Sequence, residues 1–563
     1  MILGVDVGGT HTDAVLLDHS GVVASAKVVT RHEDLLSSVR NALEAIFSET
    51  GAVGVEHFNL STTLCTNAII QNELEEVGVL VAAGPGMNPS LFKIGDNYQV
   101  VPGSLDHRGS EIKPLDLDFA RQCLEDFYQQ GVRVFALVGK FSPRNPVHEK
   151  QMAELLQDKC DFCTQGHALS SQLNFPRRIA TAYYNSAVWP IFNNFANSVA
   201  DSLKEKGINP KLNILKADGG TMSLSQARGM PVESIFSGPA ASIMGIKALC
   251  DIQEDALLLD IGGTTTDVAL FADGDPVIEA ESVELKQYPT LVRAMKTRSV
   301  GVGGDTAVTL EDGELQIGPK RLGSCLAMGG GAPTLVDALN CVQKLNYGDV
   351  QASQRGMKDL GERIGIAPEE VAERIIADAC REIREQAHQM LQEVNEKPVY
   401  TVHEFLEYRK VVPKRIYLMG GPAKVLAPYI SREFGLQPVV PDNYSVANAL
   451  GAAMARSTYE VELLADTEKH NMSIAVLGVQ EKISGRYTLE QAKDDVRSHL
   501  LDYLKQTLQL DVSPDEIEIV EESAMNMIKG MYTVGQDIRV KSQIKPGIIP
   551  EYAEAARCVC KEQ

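Results

Sequence analysis

"DIGGTTTDVAL", residues 260–270, repeats "DVGGTHTDAV", residues 6–15: aligned from Asp260 and Asp6, six of ten letters are identical, namely Asp, Gly, Gly, Thr, Thr and Asp. Apolar residues flank both copies, so each predicts strand, glycine turn, strand, the tip of a tight β-hairpin. Glycine tolerates positive φ and carries no Cβ, so the backbone N–H groups around Gly8, Gly9, Gly262 and Gly263 can approach an anion closely. The hydroxyls of Thr10, Thr12, Thr264, Thr265 and Thr266 add donors. The leading acids, Asp6 and Asp260, can hold Mg²⁺, directly or through water, or activate a water. Asp13 and Asp267 are expected to close the hairpins through local hydrogen bonds. Two such hairpins facing each other would grip a polyphosphate from both sides.

The rest of the chain frames this pair. It has 563 residues, 44% hydrophobic and 23% charged, which is globular composition with room for two to four domains. The net charge of −22 and the lack of a Lys/Arg block exclude a nucleic-acid binder. No apolar run reaches the length of a membrane span, and the strand-like "MILGVDVGG" does not read as a signal peptide, so a cytoplasmic protein is expected. Ten scattered cysteines do not form a disulfide scaffold. Cys160, Cys163 and His167 in "CDFCTQGH", and Cys558 and Cys560 in "CVC", are incomplete as zinc sites, and buried free thiols are the favoured account.

Apolar runs such as "VGVLVAA" and "VRVFALVG" alternate with amphipathic stretches such as "DLLSSVRNALEAIFSET", an α/β pattern. The predicted division is an α/β half over 1–205, a second over 206–460 with a helical insertion at about 335–410, and a small α+β region over 461–563. A single strand is expected at "NMSIAVLGV". No G-x-x-x-x-G-K-[ST] loop occurs, nor a G-x-G-x-x-G opening a helix after a strand. A third glycine turn does occur: "RIYLMGGPAKVLAPYISREFG" reads as strand, Gly420-Gly421, then a helix with Pro422 in its first turn. Hairpin, hairpin and small-residue turn follow in the order of the actin/sugar kinase/heat-shock-70 ATPase superfold. The expected fold is two duplicated actin-like (ribonuclease H-like) halves clamping a nucleotide, with ATP and Mg²⁺ as cofactors.

Within that superfold the chain resembles the hydantoinase/oxoprolinase family (hydantoinase A-like) over roughly residues 1–456. The resemblance is carried by "STTLCTNAIIQ" (61–71), "FSPRNPVHE" (141–149), "RRIATAYYNSAV" (177–188), "LKADGG" (215–220), "SGPAASIMG" (237–245) and "SVGVGGD" (299–305). It implies ATP-dependent opening of a cyclic amide of hydantoin or 5-oxoproline type. The implied route is phosphorylation of the amide carbonyl oxygen, then attack by water. It also implies a partner, either a B-type hydantoinase subunit or further copies of the chain. Gly303, Gly304 and Asp305 are expected to face the nucleotide, although Asp305 also reads as a turn aspartate. Thr62, Thr63 and Asn67 are candidate substrate contacts, and a strand-to-helix cap explains "STT" equally well. His148 and Glu149 read as a helix start. Arg177 and Arg178 read either as a carboxylate-binding pair or as a surface pair. The alternatives carried forward are a small-molecule kinase, the ATPase subunit of a ketone carboxylase of the same family, and a non-enzymatic nucleotide-gated binding protein.

Overall fold

The computed structural model describes the chain except residues 32, 52–53, 158, 280–282, 312, 319–321, 344, 397–408 and 558–563. Its first sheet starts with Ile2–Val7 (β1), buried at every position, as expected of a strand covered on both faces. The chain turns through residues 8–10 into His11–Asp18 (β2), then into Gly21–Val29 (β3). His57–Thr62 (β4) runs parallel to β1 and sets Ser61 beside Asp6. A long helix, Phe175–Glu205 (α1), then leads to Lys211–Leu215 (β5) and Thr221–Ser223 (β6). The strand order is β6-β5-β4-β1-β2-β3. The chain therefore does not leave the first sheet at residue 205. Two strands beyond that boundary complete it, because β5 pairs with β4 across a long sequence separation.

Helix Ser237–Leu249 (α2) delivers the chain to a second sheet. Ala256–Ile261 (β7) and Thr266–Ala272 (β8) form its hairpin, Thr297–Val300 (β9) pairs with β8, and Arg415–Met419 (β10) and Pro438–Val439 (β11) lie parallel on the far side of β7. The two hairpins share one register. Asp6 sits opposite Asp13, and Asp260 opposite Asp267. The two sheets thus repeat one plan, as the duplicated sequence requires.

Helix Ala447–Met454 (α3) packs on α2 and on β1. The contact is backbone to backbone: a Cβ on Gly245 would stand 2.1 Å from the Ala447 carbonyl oxygen, and one on Gly451 would stand 2.1 Å from that of Ala241. Residues of β1, β2, α2, β7 and α3 share a single apolar core, which joins the halves.

Additions surround this frame. "VGVLVAA" and "VRVFALVG" form fully buried strands, Val77–Ala82 and Val134–Gly139, in a separate parallel sheet. Between β8 and β9 the chain crosses to the first half, where the Leu291 N–H donates to Thr181 Oγ1 at 2.8 Å and the Tyr184 hydroxyl donates to the Leu285 carbonyl at 3.2 Å. The helical insertion comprises Leu335–Gln343, Val350–Ile364 and Pro368–Asn395, and part of its expected range lies outside the described residues.

The C-terminal region is a five-stranded sheet starting at Glu460–Asp466, with helix Leu489–Gln506 on it. The strand expected at "NMSIAVLGV" is two strands, Asn471–Ile474 and Val479–Lys482. A 3₁₀ turn at Ala475–Leu477 and Gly478 at φ 69° separate them. Arg108 clamps this region to the first half, bonding Asp466 at 2.5 and 2.7 Å and Glu468 at 2.6 Å. Among the described residues no helix is long and apolar enough to cross a membrane.

Candidate functional site

The two hairpin tips face one another. The place a Cβ on Gly263 would occupy is 3.2 Å from Asp305 Oδ2 and 3.8 Å from Thr10 Oγ1 of the other hairpin. None of Gly8, Gly9, Gly262 and Gly263 has a positive φ, contrary to expectation. Space is the constraint instead. A Cβ on Gly8 would lie 2.9 Å from the His11 carbonyl oxygen, and one on Gly262 would lie 3.2 Å from that of Thr265, whereas Gly9 has nothing within 4 Å and opens to the cleft.

The threonines divide into two classes. Thr12 and Thr266, equivalent in the repeat, are fully buried and their hydroxyls are engaged within the protein. Thr12 Oγ1 bonds Thr30 Oγ1 at 2.9 Å, and Thr266 Oγ1 donates to the Val302 carbonyl at 2.7 Å. They brace the hairpins rather than face an anion, which corrects their expected role. Thr10, Thr264 and Thr265 remain partly exposed at the tips. Asp13 does not close its own hairpin either. It pairs with Lys27 of β3 at 2.8 Å. Asp267 is pushed up to about 6 by burial and by Asp260, with Ser299 of β9 offsetting part of the rise.

Asp6 is 3% exposed, and its Oδ1 has no hydrogen-bond partner. Burial pushes its pKa up to about 7, Asp13 and Asp260 push the same way, and Ser61 and Asn448 offset part of the rise. Burial also raises Asp260, against the opposing effects of Ser242, Lys27 and Asn448. Ser242 Oγ donates to Asp260 Oδ2 at 2.6 Å. Each acid therefore has its own serine, and Asn448 on α3 acts on both. His11 is lowered by burial and by Lys27, against Asp13 and Asp305, which places it between the two halves. Ser61, Ser242, Lys27 and Asn448 escaped the sequence reading. Ser61 is findable from strand pairing, but "ANALGAAM" shows only an apolar helix.

The loop after β9 closes on the second hairpin. Gly304 N donates to the Gly262 carbonyl at 2.9 Å and Asp305 N to that of Gly263 at 2.6 Å, and a Cβ on Gly303 would strike Thr264 at 2.7 Å. The third glycine turn lies beside it. Gly420 sits at φ 88°, where a Cβ would stand 2.2 Å from the Ile261 carbonyl oxygen, and Gly421 has nothing within 4 Å. Pro422 occupies the N-cap position of helix Ala423–Phe434, and its Cγ is 3.3 Å from the place of a Cβ on Gly304. Both hairpins, the Gly303–Asp305 loop and the Gly420-Gly421 turn thus converge.

The substrate candidates separate. Thr62 is buried, its Oγ1 accepting from Leu64 N at 3.2 Å, so it serves the strand-to-helix turn. Thr63 and Asn67 are partly exposed. Thr63 Oγ1 reaches the Val7 carbonyl at 3.4 Å, and Asn67 Nδ2 reaches Thr63 Oγ1 at 3.3 Å, beside the first hairpin.

Arg178 fits neither reading of the arginine pair. It is fully buried and donates to the carbonyls of Gly139, Lys140 (2.9 Å) and Gln172 (2.7 Å). Glu149, also fully buried, accepts from Gly139 N and from both the backbone and the ring of His167. That contact turns His167 to Glu149. Cys160 and Cys163 are free thiols raised by burial, and among the described residues no cluster suited to a metal ion forms. Cys558 and Cys560 lie outside the described residues.

Family models described as Hydantoinase/oxoprolinase N-terminal region and Hydantoinase/oxoprolinase match residues 2–160 and 178–461. The chain belongs to the hydantoinase/oxoprolinase family. Similar proteins include an uncharacterized protein of Methanocaldococcus jannaschii, 25% identical over 80% of this chain and 72% of that protein. Caprolactamase subunit alpha of Pseudomonas jessenii is 27% identical over 60% of this chain and 53% of that protein, so the match spans about half of this relative's length. The crystal structure of ATP-dependent caprolactamase from Pseudomonas jessenii superposes with TM-score 0.71 at 19% identity, covering 96% of this chain and 87% of that one. The nucleotide-free structure of acetone carboxylase superposes with TM-score 0.69 at 16% identity, covering 98% and 88%. These superpositions show that the family's α/β fold is shared along nearly the whole chain.

Proposed function

We propose that the chain binds ATP with Mg²⁺ between the two hairpins and uses it to open a cyclic amide, either alone or as the ATP-handling subunit of such an enzyme. The observation that carries this reading is the pair of facing glycine hairpins with Asp6 and Asp260 buried at their base. The residues fit the absent groups. Asp6 Oδ1 is a buried acceptor without a partner, and the hairpin glycines leave backbone room that a Cβ would fill. Asp6 and Asp260 would hold the Mg²⁺, which supplies neutralisation of polyphosphate charge. Gly8, Gly9, Thr10, Gly262, Gly263, Thr264 and Thr265 would face the phosphates, with Gly303, Gly304 and Asp305 beside them and Gly420-Gly421 at the adenosine.

A lactam carbonyl is a poor electrophile. Transfer of phosphate to its oxygen supplies a leaving group, and positioning plus charge neutralisation do most of the work. Asp6, with a pKa near 7, can accept or release a proton at neutral pH, as a residue beside an attacking water must. Thr63 and Asn67 offer an amide uncharged donors and acceptors next to the first hairpin. The names of the relatives, among them 5-oxoprolinase of Saccharomyces cerevisiae and acetophenone carboxylase gamma subunit, support an ATP-using enzyme with partner subunits.

The test is a substrate carrying heavy oxygen at the amide carbonyl, assayed with and without a co-encoded second subunit. Label appearing in inorganic phosphate supports activation of the amide. Label wholly retained in the ring-opened acid sinks it. A stable phosphorylated product indicates a kinase, and bicarbonate-dependent ATP use indicates a carboxylase subunit.

A further inference from the structure

A polar cavity of about 100 Å³ lies at a seam of three parts of the molecule, apart from the hairpin tips. Lys216, Asp218 and Glu233 come from the edge of the first sheet, Arg293 from the segment that crosses between the halves, and Glu460 and Glu462 from the C-terminal region.

Its charges are incompletely satisfied. Lys216 reaches Asp218 at 3.1 Å, and Arg293 reaches Glu460 at 3.1 Å through one of its five N–H groups. The other donors of both cations have no partner recorded. Glu233 makes no side-chain hydrogen bond among the described residues. Ser171, 4% exposed, also lines the cavity, and its hydroxyl is buried without a partner, as is Glu462 Oε2. A buried polar atom without a partner is costly, so these atoms mark places for a ligand's polar groups. Burial pushes Glu233 up to about 7, Lys216 and Arg293 pulling it down while Asp218 and Glu460 push it further up. Glu462 is likewise raised to about 7 by burial.

The sign pattern selects the ligand. A simple anion would meet four carboxylates. A simple cation would meet Lys216 and Arg293. A neutral molecule would leave donors and acceptors of both signs unanswered. We propose that this cavity binds a small amino acid, with its carboxylate on Lys216 and Arg293 and its ammonium on Glu233 and Glu462. The volume limits it to a few carbon atoms. This site goes beyond the ring-opening reading and does not depend on it.

The test is calorimetric titration of the full chain, without nucleotide, with glycine, 4-aminobutyrate and 6-aminohexanoate near pH 7 in two buffers of different ionisation enthalpy. The expected result is saturable binding of at least one compound with release of protons, because an ammonium beside Glu233 lowers its pKa. Glu233→Gln should weaken that binding about tenfold or more and reduce the proton release. Ser171→Ala, a smaller change, should weaken it several-fold with the thermal midpoint unchanged, and carries the test if Glu233→Gln fails to fold. The proposal is overturned by no saturable heat at millimolar concentration, by equal binding of neutral 2-pyrrolidinone, or by undiminished binding in the folded variants. An inactive ATP cleft leaves the experiment untouched.

Discussion

The backbone N–H of Asp305 donates to the Gly263 carbonyl at 2.6 Å, and the Asp305 carboxylate occupies the space a side chain on Gly263 would need. The second hairpin is therefore held by a loop that tolerates no added carbon, while Gly9 on the first hairpin faces open space.

Gly303→Ala and Gly9→Ala should consequently behave differently. The first places a Cβ 2.7 Å from backbone atoms of Thr264 and Thr265, so the loop must shift. We expect a loss of about 1–3 kcal/mol and weaker ATP binding. The second should leave the unfolding midpoint unchanged and reduce only nucleotide affinity. Denaturant unfolding and titration with a fluorescent ATP analogue read the two effects, and full affinity in Gly9→Ala would remove Gly9 from the phosphate site.

Asp6→Asn tests the price of the acid. Its folded pKa, about 7, lies above the ordinary 3.8. The stabilising contribution of such a raised group is fully present below the unfolded value and is lost as pH rises through about 7. The variant should match the parent near pH 4 and exceed its stability at pH 8 by roughly 1–4 kcal/mol. Asp6→Asn and Asp260→Asn should each reduce ATP turnover by about 10²-fold or more. Destabilisation of Asp6→Asn at pH 8 would show that the carboxylate has a structural role instead.

Arg108→Ala should loosen the C-terminal region. Asp466, 3% exposed, would keep its charge without its bidentate partner, a loss of about 3 kcal/mol. Urea unfolding should show that region melting first. An unchanged profile would mean that Lys469 suffices to hold the contact.

Arg178→Ala should lower stability by about 3 kcal/mol or more, since three carbonyl groups lose their donor. A role in binding a substrate carboxylate predicts the opposite pattern, a raised KM with the unfolding midpoint intact.

The hairpins were legible because the same letters occur twice, and local sequence dictates a hairpin. The roles inside them were only partly legible. Thr12 and Thr10 are both threonines of one turn, yet strand alternation sends the former to Thr30 and leaves the latter at the tip. Residues 211–223 look like the start of a new domain because the pairing of β5 with β4 is nonlocal and leaves no mark in either segment. "NMSIAVLGV" is apolar throughout, which concealed the left-handed Gly478 that ends its first half. Asn448 had no motif to announce it. Its position follows from where α3 crosses β1, and that is decided by Gly4, whose Cβ would stand 2.3 Å from the Ala449 carbonyl oxygen.

The crossing of α2 and α3 has a mechanical meaning. An interface of interdigitated side chains yields by changing rotamers, but Gly245 against Ala447 and Gly451 against Ala241 offer none to change. Sliding the helices past one another would drive main-chain atoms into each other, so the joint behaves as a pin. Rotation is the freedom it leaves. Asn448 sits one residue from the axle, so the gap between Asp6 and Asp260 is set near the centre of that rotation, where displacements are smallest. The glycine tips and the seam around Arg293 lie farther out, like the jaws and handles of pliers, and travel most.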